Sequence, residues 1–373
     1  MRQITDECLA GKARRRVAYI GLATFVITCI LCAIALHNAE QGPVSFIRVG
    51  TRFAAHDPKG TTGYDGQFAY YIALGGANAV PYMDGPTLRY QRILYPIAAR
   101  LLAMGNAALV PWTLIAVNIV GHSAGAGLLA YLLVVNGGSA LPALIYTFWV
   151  GAIFAVRLDL NEPLCFALAL GALVAYHHRR CRWTIALLML STITKELGMI
   201  FAAGIALHAF ALGQRRWAVL FAGAPLLLFL TWWAVMRAWL GTFPTIYPAA
   251  KIHLIPLQGM FREEDVVEFV FLAIWLGIPA VALFLAALRS IWRTRRVSLG
   301  AALALAGAGF VIVMPDVSWQ DPVAAYRVGM PLIITGILFV AQCCPRRWPW
   351  LAALWIPAIL VALMTPTLWF GGA

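Results

Sequence analysis

Charge is what this chain has least of. Asp, Glu, Lys and Arg make up 12% of its 373 residues, about half the usual share. Acidic residues are the rarer kind, 15 against 28 Lys and Arg, for a net charge of +13. With 62% of residues hydrophobic, a water-soluble globule of this size has nowhere to hide the apolar excess, so the chain needs lipid as solvent. The positive surplus does not read as a nucleic-acid face either. The basic residues come in short runs between apolar segments, which is how membrane topology distributes them.

Site signatures are also lacking. The seven histidines form no HExxH and there is no Walker loop, so a metallopeptidase of that type and a nucleotide-driven pump are without their marks. The seven cysteines put no pair in an external loop, and no structural disulfide is expected. Low-complexity tracts and clear repeats are missing, and nothing marks off a soluble domain. Residues 1–373 therefore read as a single integral membrane domain.

What the chain does have is apolar runs alternating with short polar breaks. Helices are expected near 17–36, 109–135, 139–156, 163–177, 183–194, 197–212, 218–239, 268–288, 298–314, 328–344 and 351–370. The expectation is an all-α, polytopic transmembrane protein of about eleven spans. With the N-terminus cytoplasmic, alternate breaks collect the basic clusters: Arg14–Arg16, Arg179-Arg180-Arg182, Arg215-Arg216, Arg293-Arg295-Arg296 and Arg346-Arg347. Most acidic residues then face outward. Residues 183–212 are read as a hairpin of two short helices. Its tip, Thr194-Lys195-Glu196, lies at membrane depth, where irregular backbone is tolerated only against protein or a wet cavity. The outer segments are 37–108, 157–162, 241–267 and 315–327. The first is by far the longest and should carry interfacial helices.

Chemistry can be sought in five places. In Tyr64-Asp65-Gly66-Gln67-Phe68-Ala69-Tyr70-Tyr71-Ile72, Asp65 stands where it would cap a short helix, with Phe68, Tyr71 and Ile72 on one apolar face. A carboxylate at that rim can take a proton from a hydroxyl; the plainer alternative is a cap alone. Arg89 and Arg92, three apart, could converge on one phosphate if that stretch is helical, or simply bind headgroups. Arg157-Leu158-Asp159-Leu160-Asn161-Glu162 is a turn dense in polar groups. Lys195 and Glu196 are charges at membrane depth and default to a functional reading; Lys195 suits a phosphate, and Glu196 could orient an Arg or be neutralised by its neighbour. Arg327 follows Asp316, Trp319, Gln320, Asp321 and Tyr326 and is a plausible phosphate clamp, with the two aromatics read as interfacial.

These elements resemble the polytopic glycosyltransferases of the GT-C superfamily, nearest to the PIG-V and PIG-M type mannosyltransferases and related bacterial membrane proteins. Tyr64 through Ala73 is similar to their first-loop pattern, Arg92-Ile93-Leu94-Tyr95-Pro96 to the Leu-Tyr-Pro element after it, and Thr194-Lys195-Glu196 to an element midway along such chains. The chain departs from the family in lacking the large soluble C-terminal domain of some members and in placing its Asp far past the first helix. The resemblance implies an inverting transfer of a sugar from a polyprenyl-phosphate-linked donor to an acceptor at the non-cytoplasmic face, in a bacterial inner membrane. Asp65 would be the general base. Arg89, Arg92, Lys195 and Arg327 would hold the phosphate, Tyr70 and Tyr71 would contact sugar or lipid, and Tyr64, Gln67, Glu196, Asp159 and Glu162 would complete the site. No cofactor is called for, although the Asp159 and Glu162 pair leaves room for a divalent metal. Expected partners are the lipid-linked donor and membrane lipids, with no nucleic acid.

Two rivals remain. A transporter or flippase of a lipid-linked saccharide would use the same basic cavity without covalent change. A scaffold would need no such cavity. An enzyme calls for one outward cavity joining Asp65, Lys195 and Arg327, and a scaffold would leave them scattered.

Overall fold

The computed structural model describes residues 2–247 and 255–364. The end of the last expected helix and part of the third outer segment lie outside the described residues. Every regular element among the described residues is helical. The main helices are α1 (Arg2–His37), α2 (Gly66–Gly75), α3 (Pro86–Tyr90), α4 (Leu94–Leu102), α5 (Val110–Val135), α6 (Ala143–Phe148), α7 (Val150–Arg157) and α8 (Glu162–His177). They continue with α9 (Cys181–Thr194), α10 (Gly198–Ala211), α11 (Arg215–Leu240), α12 (Val266–Thr294, with a π turn at Ala273–Gly277), α13 (Leu299–Ile312), α14 (Pro322–Val328), α15 (Met330–Cys343) and α16 (Trp348–Trp355).

Four helices are long and apolar enough to cross a membrane, or five if the bent pair α14–α15 counts as one span. Four further helices, α8, α9, α10 and α13, are apolar but short, 10–17 residues, so the number of crossings established by length is smaller than the eleven expected. α1 and α11 leave most of their surface outward. Leu22 and Leu227 are about two-thirds exposed, a disposition that water penalises and hydrocarbon does not. The architecture is that of a membrane-embedded helical protein.

Two breaks position the site. Near the end of α8, Tyr176 bonds His208 near the end of α10 at 2.8 Å. α10 therefore returns to the side on which α9 began, and residues 181–211 are a hairpin with its tip at Lys195-Glu196-Leu197. The same end of the molecule holds Tyr131, at the close of α5, bonded to His178, beside the basic runs of Arg179–Arg182 and Arg215-Arg216. The second break is at Trp149, which separates α6 from α7 where one continuous helix was expected. The Trp149 indole donates to the Tyr326 carbonyl at 2.9 Å, and Gly151 lies flat on that same carbonyl. This ties the start of α7 to the segment that carries Arg327.

α2 does not lie on the membrane interface by its apolar face. Phe68 and Ile72 pack with Met83, Tyr90 and Met236, and Ala69 and Ala73 pack with Tyr95 and Leu114. The face is covered because the long first loop folds back over it. Outward apolar residues of this loop sit instead on and just after α4, at Leu101 and Met104. The start of α2 fits only glycine. A Cβ at Gly66 would stand 2.2 Å from the Leu158 carbonyl oxygen, a backbone atom that cannot swing aside. Gly66→Ala should therefore displace α2 from the α7–α8 turn and cost about 3 kcal/mol or more. Thermal unfolding in lipid checks this, and an unchanged unfolding temperature refutes the close approach.

Candidate functional site

Residues from six separate stretches meet in one cavity of about 390 Å³. Its polar wall is Tyr64, Asp65, Arg89, Arg92, Lys195, Glu196, Asp321 and Arg327. Its apolar wall is built from Phe229 and Trp233 of α11, Phe310 of α13 and Val317. Asp65, Lys195 and Arg327 are thus joined rather than scattered. The tip of the α9–α10 hairpin, irregular backbone with two charges, is set against this cavity and the protein behind it.

Asp65 occupies the N-cap position of α2 but its side chain makes no capping bond. It accepts instead from Arg89 Nη1 at 2.9 Å and lies 3.5 Å from Arg327 Nη2, so the reading of Asp65 as a cap alone does not hold. Arg89 and Arg92 both line the cavity, but they do not converge on one point. Arg89 is gripped by Asp84 through Nε and Nη2 at 2.8 and 2.7 Å, with its guanidinium over the Phe68 ring. Arg92 pairs with Glu196 through Nε and Nη2 at 3.0 and 2.6 Å. Lys195 and Glu196 do not neutralise each other. Lys195 pairs with Glu162 at 2.6 Å, and Glu162 Oε1 also accepts from Arg327 Nη1 at 2.9 Å. Arg327 Nη2 donates to Tyr64 Oη at 3.0 Å, and that hydroxyl donates to Asp321 at 2.7 Å. Arg327 lies in the last turn of α14, just before the bend, and not at the start of a continuous helix.

The electrostatics follow from this wiring. Burial pushes the Asp65 carboxyl up, but Arg89, Arg327, Arg92 and Lys195 outweigh it and hold the group well below the usual carboxylate range. Burial opposes the charge on Arg89, and Asp65 and Asp84 restore it. The Asp65 carboxylate is 33% exposed, and it lines both this cavity and a second chamber of about 580 Å³ formed with Arg52, Phe53, Thr62, Gly63, Met83 and Asp84. Tyr64, Asp65 and Arg89 are common to both spaces.

Other expected site residues fall elsewhere. Gln67 borders the second chamber, but its amide is spent on the loop, accepting from Gly50 N at 3.0 Å and donating to Thr62 O at 2.7 Å. Tyr70 and Tyr71 stand away from the main cavity, with Tyr71 stacked on Tyr82. Trp319 and Tyr326 are core residues, not interfacial ones. Asp159 is fully buried in the turn after α7, with φ +50° and both carboxylate oxygens unpartnered among the described residues. Glu162, three residues on, is bound to Lys195 and Arg327, so the two acids do not form a chelating pair. Among the described residues no group of three or more His, Cys, Asp or Glu is placed to hold a metal ion.

Burial pushes the Asp159 carboxyl well above its ordinary range, and the nearby Arg157 charge offsets only part of this. The folded state then keeps a proton that the unfolded chain loses from about pH 4 upward. Stability should fall as pH rises from there toward the raised value, since the folded form binds more protons. Asp159→Asn, which needs no proton, should remove that slope and gain about 1–2 kcal/mol at pH 8. Unfolding temperatures at pH 5 and pH 8 test this; an Asn variant as pH-sensitive as the parent overturns it.

Two carboxylates of the site, Asp84 and Asp321, carry weight that sequence reading did not assign to them. Asp321 had one legible signal: it precedes Pro322 and caps α14 at Val323 N. The run Gly121-His122-Ser123-Ala124-Gly125 matches the nucleophile-elbow pattern, which needs a sharp strand-to-helix turn. Here it lies inside α5, and Ser123 donates to Ile119 O one turn back, so it is no elbow. Comparison with protein-family models, with curated proteins and with solved structures finds no match to this chain.

Proposed function

We propose that this chain is a membrane glycosyltransferase. It moves a sugar, with inversion, from a polyprenyl-phosphate-linked donor to an acceptor hydroxyl at the non-cytoplasmic face. One observation carries the reading: Asp65, an ionised carboxylate set between two guanidinium groups, is shared by two chambers. The donor would enter the first, its lipid along Phe229, Trp233 and Phe310 and its phosphate among Arg89, Arg92, Lys195 and Arg327. The acceptor would approach through the second, so that its hydroxyl meets Asp65. The base then removes the proton as the hydroxyl oxygen attacks the anomeric carbon, and cations stabilise the leaving phosphate. The GT-C likeness of the first loop and of Thr194-Lys195-Glu196 supports the same reading. With it go about eleven passes, a cytoplasmic N-terminus, and a bacterial inner membrane as the setting.

The test is purified protein in lipid given a panel of polyprenyl-phosphate sugars, with membranes supplying acceptors. Release of lipid phosphate together with transferred sugar is the expected result. Binding or flipping of the same lipids with no release would replace the enzyme by a transporter.

A further inference from the structure

Each cation of the cavity is already engaged. Arg89, Arg92, Lys195 and Arg327 are paired with Asp65, Asp84, Glu162 and Glu196, four charges against four. Such a network has no surplus positive charge waiting for a phosphate. Asp321, bonded to Tyr64, adds a further acid to the wall. An ordinary anion-binding pocket offers unpaired donors, and this one would have to free some.

The wiring says which. Arg89 is anchored on Asp84 through Nε and Nη2, and only Nη1 reaches Asp65. Arg327 is anchored through Nε on the Val323 carbonyl and through Nη1 on Glu162, and its Nη2 faces Asp65 and Tyr64. Both guanidinium groups are thus fixed by two nitrogens and present the third to Asp65. Asp65 is also the one carboxylate of the network whose charge the reaction would cancel.

We propose that Arg89 and Arg327 pass their positive charge from Asp65 to the leaving phosphate as Asp65 takes the acceptor's proton. The inference rests on the transferase reading given above. In the transfer, a bond forms between the acceptor oxygen and the anomeric carbon. The bond from that carbon to the phosphate oxygen breaks, its electron pair staying on the phosphate, and the hydroxyl proton goes to Asp65. Before the step Asp65 and the phosphodiester each carry one negative charge. Afterwards Asp65 is neutral and the lipid phosphate carries two. The total is unchanged, but one unit has moved from carboxylate to phosphate. Two guanidinium groups aimed by Asp84 and Glu162 then face a neutral acid, and the nitrogens that had faced the carboxylate turn to the new dianion. Stabilisation would thus grow during the reaction and would be weak beforehand, which is the condition for accelerating a step. Asp84 and Glu162 act as positioning residues.

Asp65→Asn imitates the protonated state. Binding of polyprenyl monophosphate, the product without sugar, is measured to purified protein in lipid at pH 8, for wild type, Asp65→Asn and Asp65→Asn/Arg327→Gln. Asp65→Asn should bind this dianion about tenfold more tightly than wild type, the sugar phosphodiester should gain less, and the double variant should lose the gain. Asp65→Ser, a second neutral variant, guards against a folding defect in the first. Wild type that transfers sugar alongside folded neutral variants that bind the monophosphate no better would overturn the charge transfer and leave the enzyme standing. Wild type that neither binds nor turns over lipid phosphates would remove the transferase reading itself.

Discussion

Asp65→Asn lowers sugar transfer about a thousandfold, within the range for loss of a general base, while leaving the fold intact. The loss should appear in turnover at saturating donor and not as a raised donor KM. The variant keeps the shape of the side chain, and it removes an anion from beside the phosphate. The pH dependence has a definite sign. Arg89, Arg327, Arg92 and Lys195 hold the carboxyl below its ordinary range against the opposing effect of burial. The free enzyme therefore keeps its base form through neutral and mildly acid pH, and kcat/KM should not fall on the acid side until below about pH 4. The same depression means that Asp65 adds stability above its unfolded pKa, which is lost as pH falls through the folded one. A carboxylate so strongly held is a weak base at rest. The phosphodiester, drawing on the same guanidinium groups, raises its basicity when the donor is bound. A folded Asp65→Asn protein with wild-type turnover would remove Asp65 from the chemistry.

Much of the site was legible in the chain. Asp65 stood out as a cap in a Gly-flanked loop, Arg89 and Arg92 by their spacing, Lys195 and Glu196 as charges at membrane depth and Arg327 at an outer helix end, and all six line one cavity. Charge at membrane depth is costly enough to betray a site. The hairpin at 181–211 was legible for a similar reason, since a continuous helix would put Arg215 and Arg216 on the wrong side. Pairing was not legible. Lys195 bonds Glu162, 33 residues away, and Arg327 bonds Tyr64, 263 away, and no local spacing encodes that. Neighbours in sequence misled where the backbone turns. Lys195 and Glu196 face different partners because Lys195 adopts an extended conformation at the end of α9, which points successive side chains to opposite sides. Tyr71 kept its place on the expected face of α2 but found Tyr82 of its own loop there. Asp159 looked like a site residue from its polar company, yet its turn folds inward beneath Gly66.

The largest effect on stability should come from Glu162. Its Oε1 accepts from Lys195 and Arg327 at once, at 2.6 and 2.9 Å. The carboxylate side chain is 1% exposed and both cations 4%. Glu162→Ala removes the shared anion and leaves two buried cations facing each other across a void. Breaking a buried pair from one side costs about 3–5 kcal/mol, and here two pairs break together. Glu162→Gln keeps an oxygen acceptor in place and should lose less. Lys195→Met should lose less again, because Glu162 retains Arg327. Adding Lys195→Met to Glu162→Ala should recover part of the loss, since one of the stranded charges is then gone. That recovery separates charge burial from simple packing, which would make the two changes add. Unfolding of all four proteins in the same lipid reads the order directly. A Glu162→Ala protein within about 1 kcal/mol of wild type would mean that water reaches these cations and that the network is not dry. In that case Arg327 would not be held by Glu162 at all, and its reach toward Asp65 would need another anchor.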